Sequence, residues 1–151
     1  MQKNALRKIF EKHVYQTPEK EVVFVVKNTV GRLPAPIRKL VGHSLAKVHI
    51  STRTLKHLYD KRSAEEFDLI IDNLELIIEN PDACYRNRSG KRGNFCIVKN
   101  MNGTPHLVLI EIVASENKRE LQIATAFRAR YRRYLKHYEL LWGRRGDNHS
   151  S

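Results

Sequence analysis

The chain has 151 residues, enough for one domain with an ordinary core, and its 28 lysines and arginines against 16 aspartates and glutamates leave a formal charge of +12. That excess favours nucleic acid, an anionic membrane surface or an acidic protein as partner. Val22-Val23-Phe24-Val25-Val26 is too short to span a bilayer, no signal peptide with a cleavage site is evident, and the seven histidines never pair at metal-binding spacing. Neither a membrane partner nor a metal or other cofactor is therefore expected, and the composition reads as a soluble, basic, intracellular protein.

In chain order, residues 3–14 read as a short amphipathic helix and residues 21–26 as an apolar strand. Residues 31–36 (Gly-Arg-Leu-Pro-Ala-Pro) are a break, because proline removes a donor and turns the preceding residue away from the helical region. Residues 37–41 allow one helical turn stopped at Gly42, and residues 48–50 a brief strand. Thr52 is a plausible N-cap for a helix carrying Leu55, Leu58 and Tyr59. Ser63 followed by Glu66 has capping-box spacing, so a second helix restarts there. Its Phe67, Ile70, Ile71, Leu74, Ile77 and Ile78 form an apolar face that must be buried, and Asn80-Pro81 ends it.

After Pro81 the period changes to two, giving strands at about 83–88, 94–99, 105–113 and 120–127. Residues 89–93 and 100–103 are hairpin connections. Residues 107–113 are apolar at nearly every position, as in a central strand covered on both faces. A last helix is expected from 128 to about 142, stopped at Gly143, with Tyr131, Tyr134, Leu135, Tyr138 and Leu141 as its apolar stripe. Cys96 lies within an apolar alternation and reads as a buried thiol; a hairpin disulfide with Cys84 is the less favoured alternative. The expected architecture is α+β, with N-terminal helices packed on a four-stranded antiparallel sheet and a C-terminal helix. Residues 1–46 form an N-terminal extension of helix, strand and proline-containing linker, residues 47–143 the core, and residues 144–151 a disordered tail.

The richest stretch is residues 121–137, where a strand bearing one hydroxyl, Thr125, runs into Arg128, Arg130, Arg132 and Arg133 interleaved with Tyr131 and Tyr134. Guanidinium groups chelate phosphate and stack on bases, which suits RNA better than lipid. A charge run is also the usual make-up of a solvated face, so one or two of these arginines are expected to touch substrate, Arg128 first because it follows the Thr125 strand. The tyrosines fit a core stripe better than a stacking platform.

The order of motifs resembles a known family. Leu33-Pro34-Ala35-Pro36-Ile37-Arg38-Lys39-Leu40-Val41-Gly42 precedes Val48-His49-Ile50-Ser51-Thr52-Arg53-Thr54-Leu55-Lys56-His57. Leu76-Ile77-Ile78-Glu79-Asn80-Pro81-Asp82, the hairpins and Ala124-Thr125-Ala126-Phe127 follow. Over roughly its last two thirds the chain resembles the phage-associated nucleases of the barnase–EndoU–colicin–RelE-like superfamily. The resemblance implies a small metal-independent ribonuclease fold, with a histidine from the helical part, a basic residue, and a Ser or Thr near the last strand. The histidine position matches His57 and the hydroxyl position Thr125. Relatives often carry Lys-His at the helix junction, whereas this chain has Lys61-Arg62. An arginine holds phosphate but cannot act as a base near neutral pH.

The chemistry fits those residue types. Metal-free RNA cleavage needs a base for the 2′-hydroxyl, cations for the phosphorane and an acid for the leaving oxygen; histidine suits the first and Arg or Lys the second. Lys56 joins the four arginines as a candidate RNA-binding residue. On spacing alone His57 reads as a solvent-facing helix residue, Thr125 as a β-branched core filler, and Lys61 and Arg62 as helix-junction charges. His49 reads as structural or as a second acid, and His43, His106 and His137 give no reason for a role. The implied activity is a toxin endoribonuclease acting in the cytoplasm on tRNA or other RNA, delivered by phage or secretion and restrained by an acidic immunity protein or antitoxin. The alternative is a non-catalytic RNA- or DNA-binding module of the same fold.

Overall fold

The structure, a computed structural model, describes residues 5–42, 47–88, 93–115, 118–129, 135–136 and 138–144. Among the described residues four helices lie in the first half: α1 (Ala5–His13), α2 (Ala35–Val41), α3 (Thr52–Lys61) and α4 (Ala64–Glu79). Strands β1 (Lys27–Arg32) and β2 (Lys47–Ser51) are interspersed with them. Strands β3 (Ala83–Asn87), β4 (Phe95–Met101), β5 (Thr104–Ser115), β6 (Lys118–Arg128) and β7 (Tyr138–Gly143) follow.

α4 forms as its spacing predicts. The Ser63 hydroxyl accepts from the Glu66 amide at 3.2 Å, and all six residues of the apolar face are buried. They pack on the inner face of the sheet together with Leu6, Phe10, Ile37, Val48, Ile50, Val108, Ile110 and Ile123. α1, β1 and α2 thus contribute to the same core as the later elements. A second, smaller cluster on the opposite face joins Cys96, Val98, Leu107, Leu109 and Ala129. The central strand β5 is accordingly buried on both sides from Leu107 to Ile110. The β4–β5 hairpin turns on Asn102 and Gly103, both at positive φ, as an Asn-Gly pair favours. Cys84 and Cys96 are free, buried thiols belonging to different clusters on opposite faces, so they do not pair.

The sheet corrects the expected architecture, though the class remains α+β. It has seven strands rather than four, ordered β1-β2-β6-β5-β4-β3-β7, and it is mixed because β2 runs parallel to β6. Two local readings fail. The mostly apolar residues 21–26 form no strand: Val26 N donates to Thr52 Oγ1 at 2.9 Å, Thr52 N donates to Val26 O at 2.9 Å and Thr52 Oγ1 donates to Phe24 O at 2.7 Å. Pairing begins only at Lys27 and runs through Gly31, inside what reads as a break. At the other end, the helix expected over 128–142 is not found among the described residues. Arg128 ends β6, and Tyr138–Gly143 is a strand paired antiparallel with β3. The open edge of β3 offers backbone partners that a weakly specified, aromatic-rich segment takes in preference to a helix.

Candidate active site

Strand β6 outruns its parallel neighbour. β2 pairs with it only at Leu121 and Gln122; the chain then leaves the sheet at Ser51, whose hydroxyl accepts from the Thr54 amide at 3.2 Å and starts α3. Beyond Gln122 the flank of β6 that faces α3 is covered by side chains instead of a strand. Thr54 Oγ1 reaches Ile123 O at 3.4 Å, Arg62 Nε donates to Ala126 O at 3.0 Å, and the Arg128 amide donates to Glu66 Oε2 at 2.8 Å. An unpaired strand edge exposes donors and acceptors that must be satisfied, and these contacts satisfy three of them.

Arg62 reaches β6 because it is the extended C-cap of α3, followed at once by the Ser63 N-cap of α4. In the same reach its Nη2 donates to Thr125 Oγ1 at 3.1 Å. Its guanidinium also lies 5.9 Å from the Phe127 ring and 3.9 Å from Glu66 Oε2. Glu66, whose spacing suggests a reciprocal capping box, therefore turns its carboxylate to β6. Two sequence-predicted site residues, Arg62 and Thr125, are thus in direct contact. Thr125 is almost wholly buried, at 3 % exposure. His57, half-buried, lies one turn along α3 from Thr54 on the flank turned to β6, and Lys61, exposed, lies a further turn on.

Arg128 sits at the end of β6 with Nη1 2.8 Å from Glu65 Oε1. That hydrogen bond holds the Glu65 carboxyl below its usual range and raises the guanidinium. Lys56 lies elsewhere: it is buried, with its ammonium on the Pro18 carbonyl and 2.8 Å from Asp60 Oδ1. Burial pushes the Asp60 carboxyl up, but the hydrogen bonds from Lys56 and the Lys20 amide outweigh it and hold the group low. The Lys56 charge is therefore spent inside the fold. Arg130, Arg132 and Arg133, like Tyr131, Tyr134, His43 and His137, lie outside the described residues.

Two histidines gain an environment that spacing did not suggest. His49 Nδ1 is 3.0 Å from Thr29 Oγ1 across the β1–β2 ladder, and burial lowers its pKa. His106, opposite Arg128 in the β5–β6 ladder, is 2 % exposed. Its Nδ1 lies 3.1 Å from Thr104 O, its Nε2 has no hydrogen-bond partner among the described residues, and burial lowers its pKa. Glu65 and Glu66 were missed as partners of Arg128 and Arg62. The only hint was two carboxylates in the first turn of α4, which also serve the helix dipole. No three His, Cys, Asp or Glu side chains among the described residues come together as metal ligands, and no described helix is long and apolar enough to cross a membrane.

No curated protein and no solved structure matches this chain. A family model does, over residues 27–134, from the first residue of β1 to just beyond β6 and across every site residue placed above. With more than two thirds of its length inside that match, the chain belongs to the phage-Barnase-EndoU-ColicinE5/D-RelE like nuclease3 family.

Proposed function

We propose that this nuclease is a metal-independent endoribonuclease. The observation that carries the reading is the Arg62–Thr125 contact beside the His57 flank of α3, in a chain of charge +12. A guanidinium only donates, so the Thr125 oxygen accepts from Arg62 and its own hydrogen turns elsewhere. His57 takes the proton from a 2′-hydroxyl. The 2′-oxygen attacks phosphorus, and the bond to the 5′-oxygen breaks to leave a 2′,3′-cyclic phosphate and a 5′-hydroxyl end. Arg62 and Lys61 stabilise the phosphorane, and the Lys61 ammonium supplies the leaving oxygen's proton. Thr125, being nearly buried, holds Arg62 in place as much as it meets phosphate.

Arg128 extends the phosphate path along the end of β6, with Arg130, Arg132 and Arg133 following in sequence. The biological setting is a phage- or mobile-element-associated toxin acting on tRNA or other RNA in the cytoplasm. An acidic immunity protein or antitoxin would cover its basic face. Incubation with total RNA and a tRNA pool in EDTA tests the reading. Discrete fragments from wild type, lost in His57→Ala and Thr125→Ala, support it; intact RNA in every lane overturns it.

The engagement of Arg62 by Thr125, Ala126 O and Glu66 favours a second reading, a nucleic-acid-binding module without turnover. Salt-sensitive binding of RNA or DNA without fragments would decide for it.

A further inference from the structure

Residues 21–27 read Glu-Val-Val-Phe-Val-Val-Lys. The five apolar residues between the two charges stand outside any helix or strand, with Val22 93 %, Phe24 76 % and Val25 53 % exposed. The Phe24 ring stacks on His13, centroids 6.1 Å apart, and remains largely in water. The run leads straight into β1, which is an edge strand of the sheet. Its backbone is bonded on one side. Phe24 O and both Val26 N and Val26 O are taken by Thr52. Neighbouring residues of an extended chain turn their polar backbone atoms to opposite edges, so those of Val23 and Val25 face away from Thr52. Neither residue has a hydrogen-bond partner among the described residues. The Glu21 amide donates to Pro18 O at 3.1 Å, which closes a turn and bounds the open run.

The sequence is symmetric about Phe24. Outward from it come Val23 and Val25, then Val22 and Val26, then Glu21 and Lys27 with opposite charges. Two such segments laid antiparallel about Phe24 set Val23 against Val25 and Glu21 against Lys27 at both ends. Val23 and Val25 then exchange amide–carbonyl bonds across the free edge. The two Phe24 side chains meet in the closely spaced, non-hydrogen-bonded pair at the centre. A parallel register would instead set glutamate on glutamate and lysine on lysine. Lys27 already bonds both oxygens of Glu120 at 2.7 Å, but its side chain is half-exposed and its third N–H remains for a second carboxylate. A foreign strand has no need of this symmetry, whereas a self-complementary contact requires it.

We infer that two copies of this chain pair antiparallel through residues 21–27 about a two-fold axis at Phe24. The pairing covers an apolar run that each copy alone leaves in water and satisfies the backbone of Val23 and Val25. It is independent of the nuclease reading.

Sedimentation velocity of the full-length protein over a concentration series tests it. Monomer passes to dimer and to nothing larger, because a two-fold contact closes at two copies. Val25→Pro removes an outward amide that the monomer does not use, so dilute protein keeps its Tm. The dimer, losing one bond from each copy, weakens by at least about tenfold. Phe24→Cys reads the register: the two Cα atoms lie about 4.5 Å apart across the axis, within disulfide reach, and mild oxidation links the copies. Val22→Cys, at the more exposed position, lies opposite residue 26 of the second copy, so its two thiols are separated by roughly 13 Å along the strands and stay unlinked. Cys84 and Cys96 are buried and take no part. A monomer at every concentration overturns the inference and leaves the edge to a strand of another protein. Larger species, equal linking by both cysteine variants, or a dimer indifferent to Val25→Pro overturns it as well.

Discussion

Arg62 and Thr125 are joined by a 3.1 Å hydrogen bond from Nη2 to Oγ1, and the same guanidinium donates through Nε to the Ala126 carbonyl at 3.0 Å. One side chain therefore closes a stretch of β6 that β2 leaves open and fixes the hydroxyl nearest to it. On the proposed reading structural and functional duties overlap here, so substitutions have to be read on two axes, stability and turnover.

On the stability axis, Arg62→Ala leaves the Thr125 hydroxyl and the Ala126 carbonyl without their partner. The loss should be about 1–3 kcal/mol, the cost of unsatisfied buried groups. Arg62→Lys keeps one donor in reach and should fall between wild type and Ala. Urea denaturation measures this, and an Arg62→Ala midpoint equal to wild type would show that the edge is held by something else.

Turnover separates His57 from Thr125. His57→Ala should reduce cleavage of a defined RNA by at least about 10²-fold, the usual contribution of a general base, with little change in Tm. Thr125→Val keeps the shape and removes the hydroxyl, and should give a smaller loss if the residue mainly positions Arg62. Equal losses would mean that Thr125 touches the reacting phosphate.

Glu65 restrains Arg128 through an ion pair at 2.8 Å. Phosphate must compete with that carboxylate for the guanidinium. Glu65→Gln should therefore tighten RNA binding and steepen its salt dependence by up to one phosphate contact, with Tm unchanged. Filter binding across a salt series reads both quantities, and an unchanged slope would place Arg128 outside the RNA path.

Burial lowers the pKa values of His49 and His106, which fixes the sign of a pH effect. The unfolded chain takes up these protons first, at about pH 6.5, so the histidines' contribution is intact above that pH and lost as pH falls through the lower folded values. His106 should dominate, since it is buried and has no partner on Nε2 among the described residues. Tm should drop on acidification from pH 6.5, and less steeply in His106→Gln. Parallel curves for the two proteins would assign the acid lability elsewhere.

Burial pushes the Cys84 thiol up to about 12 and raises that of Cys96 as well, a neighbouring effect from Cys84 adding to the latter. Thiolate is the reactive form, so neither cysteine should react with a thiol reagent at pH 8 until the protein unfolds. Two equivalents titrating in the native protein would contradict the packing on both faces of the sheet.

Much of the fold is legible because its cues are local. The α4 apolar face, its Ser63 cap, the Asn102-Gly103 turn and the alternation of β3 to β6 each lie within one element. β1 and β7 are not legible for a shared reason: both are edge strands whose pairing is decided by a distant partner. Thr52 holds Val26 and Phe24 out of the ladder, so an apolar run stays unpaired while Gly31 lies in a strand. Tyr138, Leu141 and Trp142 suit a helix as well as a strand until β3 presents an open edge. Within the site, the resemblance singled out Arg62 and Thr125, but their bond spans 63 residues and no spacing rule reaches so far. Lys56 shows the converse. A helix lysine reads as a surface charge, and only the Pro18 carbonyl and Asp60 reveal it as an internal one.

The parallel pairing of β2 with β6 also puts a clock on the molecule. His57 and Arg62 leave the ribosome well before Thr125, and the flank they share does not exist until β6 has been made and laid against β2 and α3. At about 5–20 residues per second, those 63 residues take roughly 3–13 s to synthesise. A nascent chain, or one cut short of β6, carries the helical half of the proposed site with nothing to complete it. A nuclease assembled in this order stays incomplete until β6 has been synthesised.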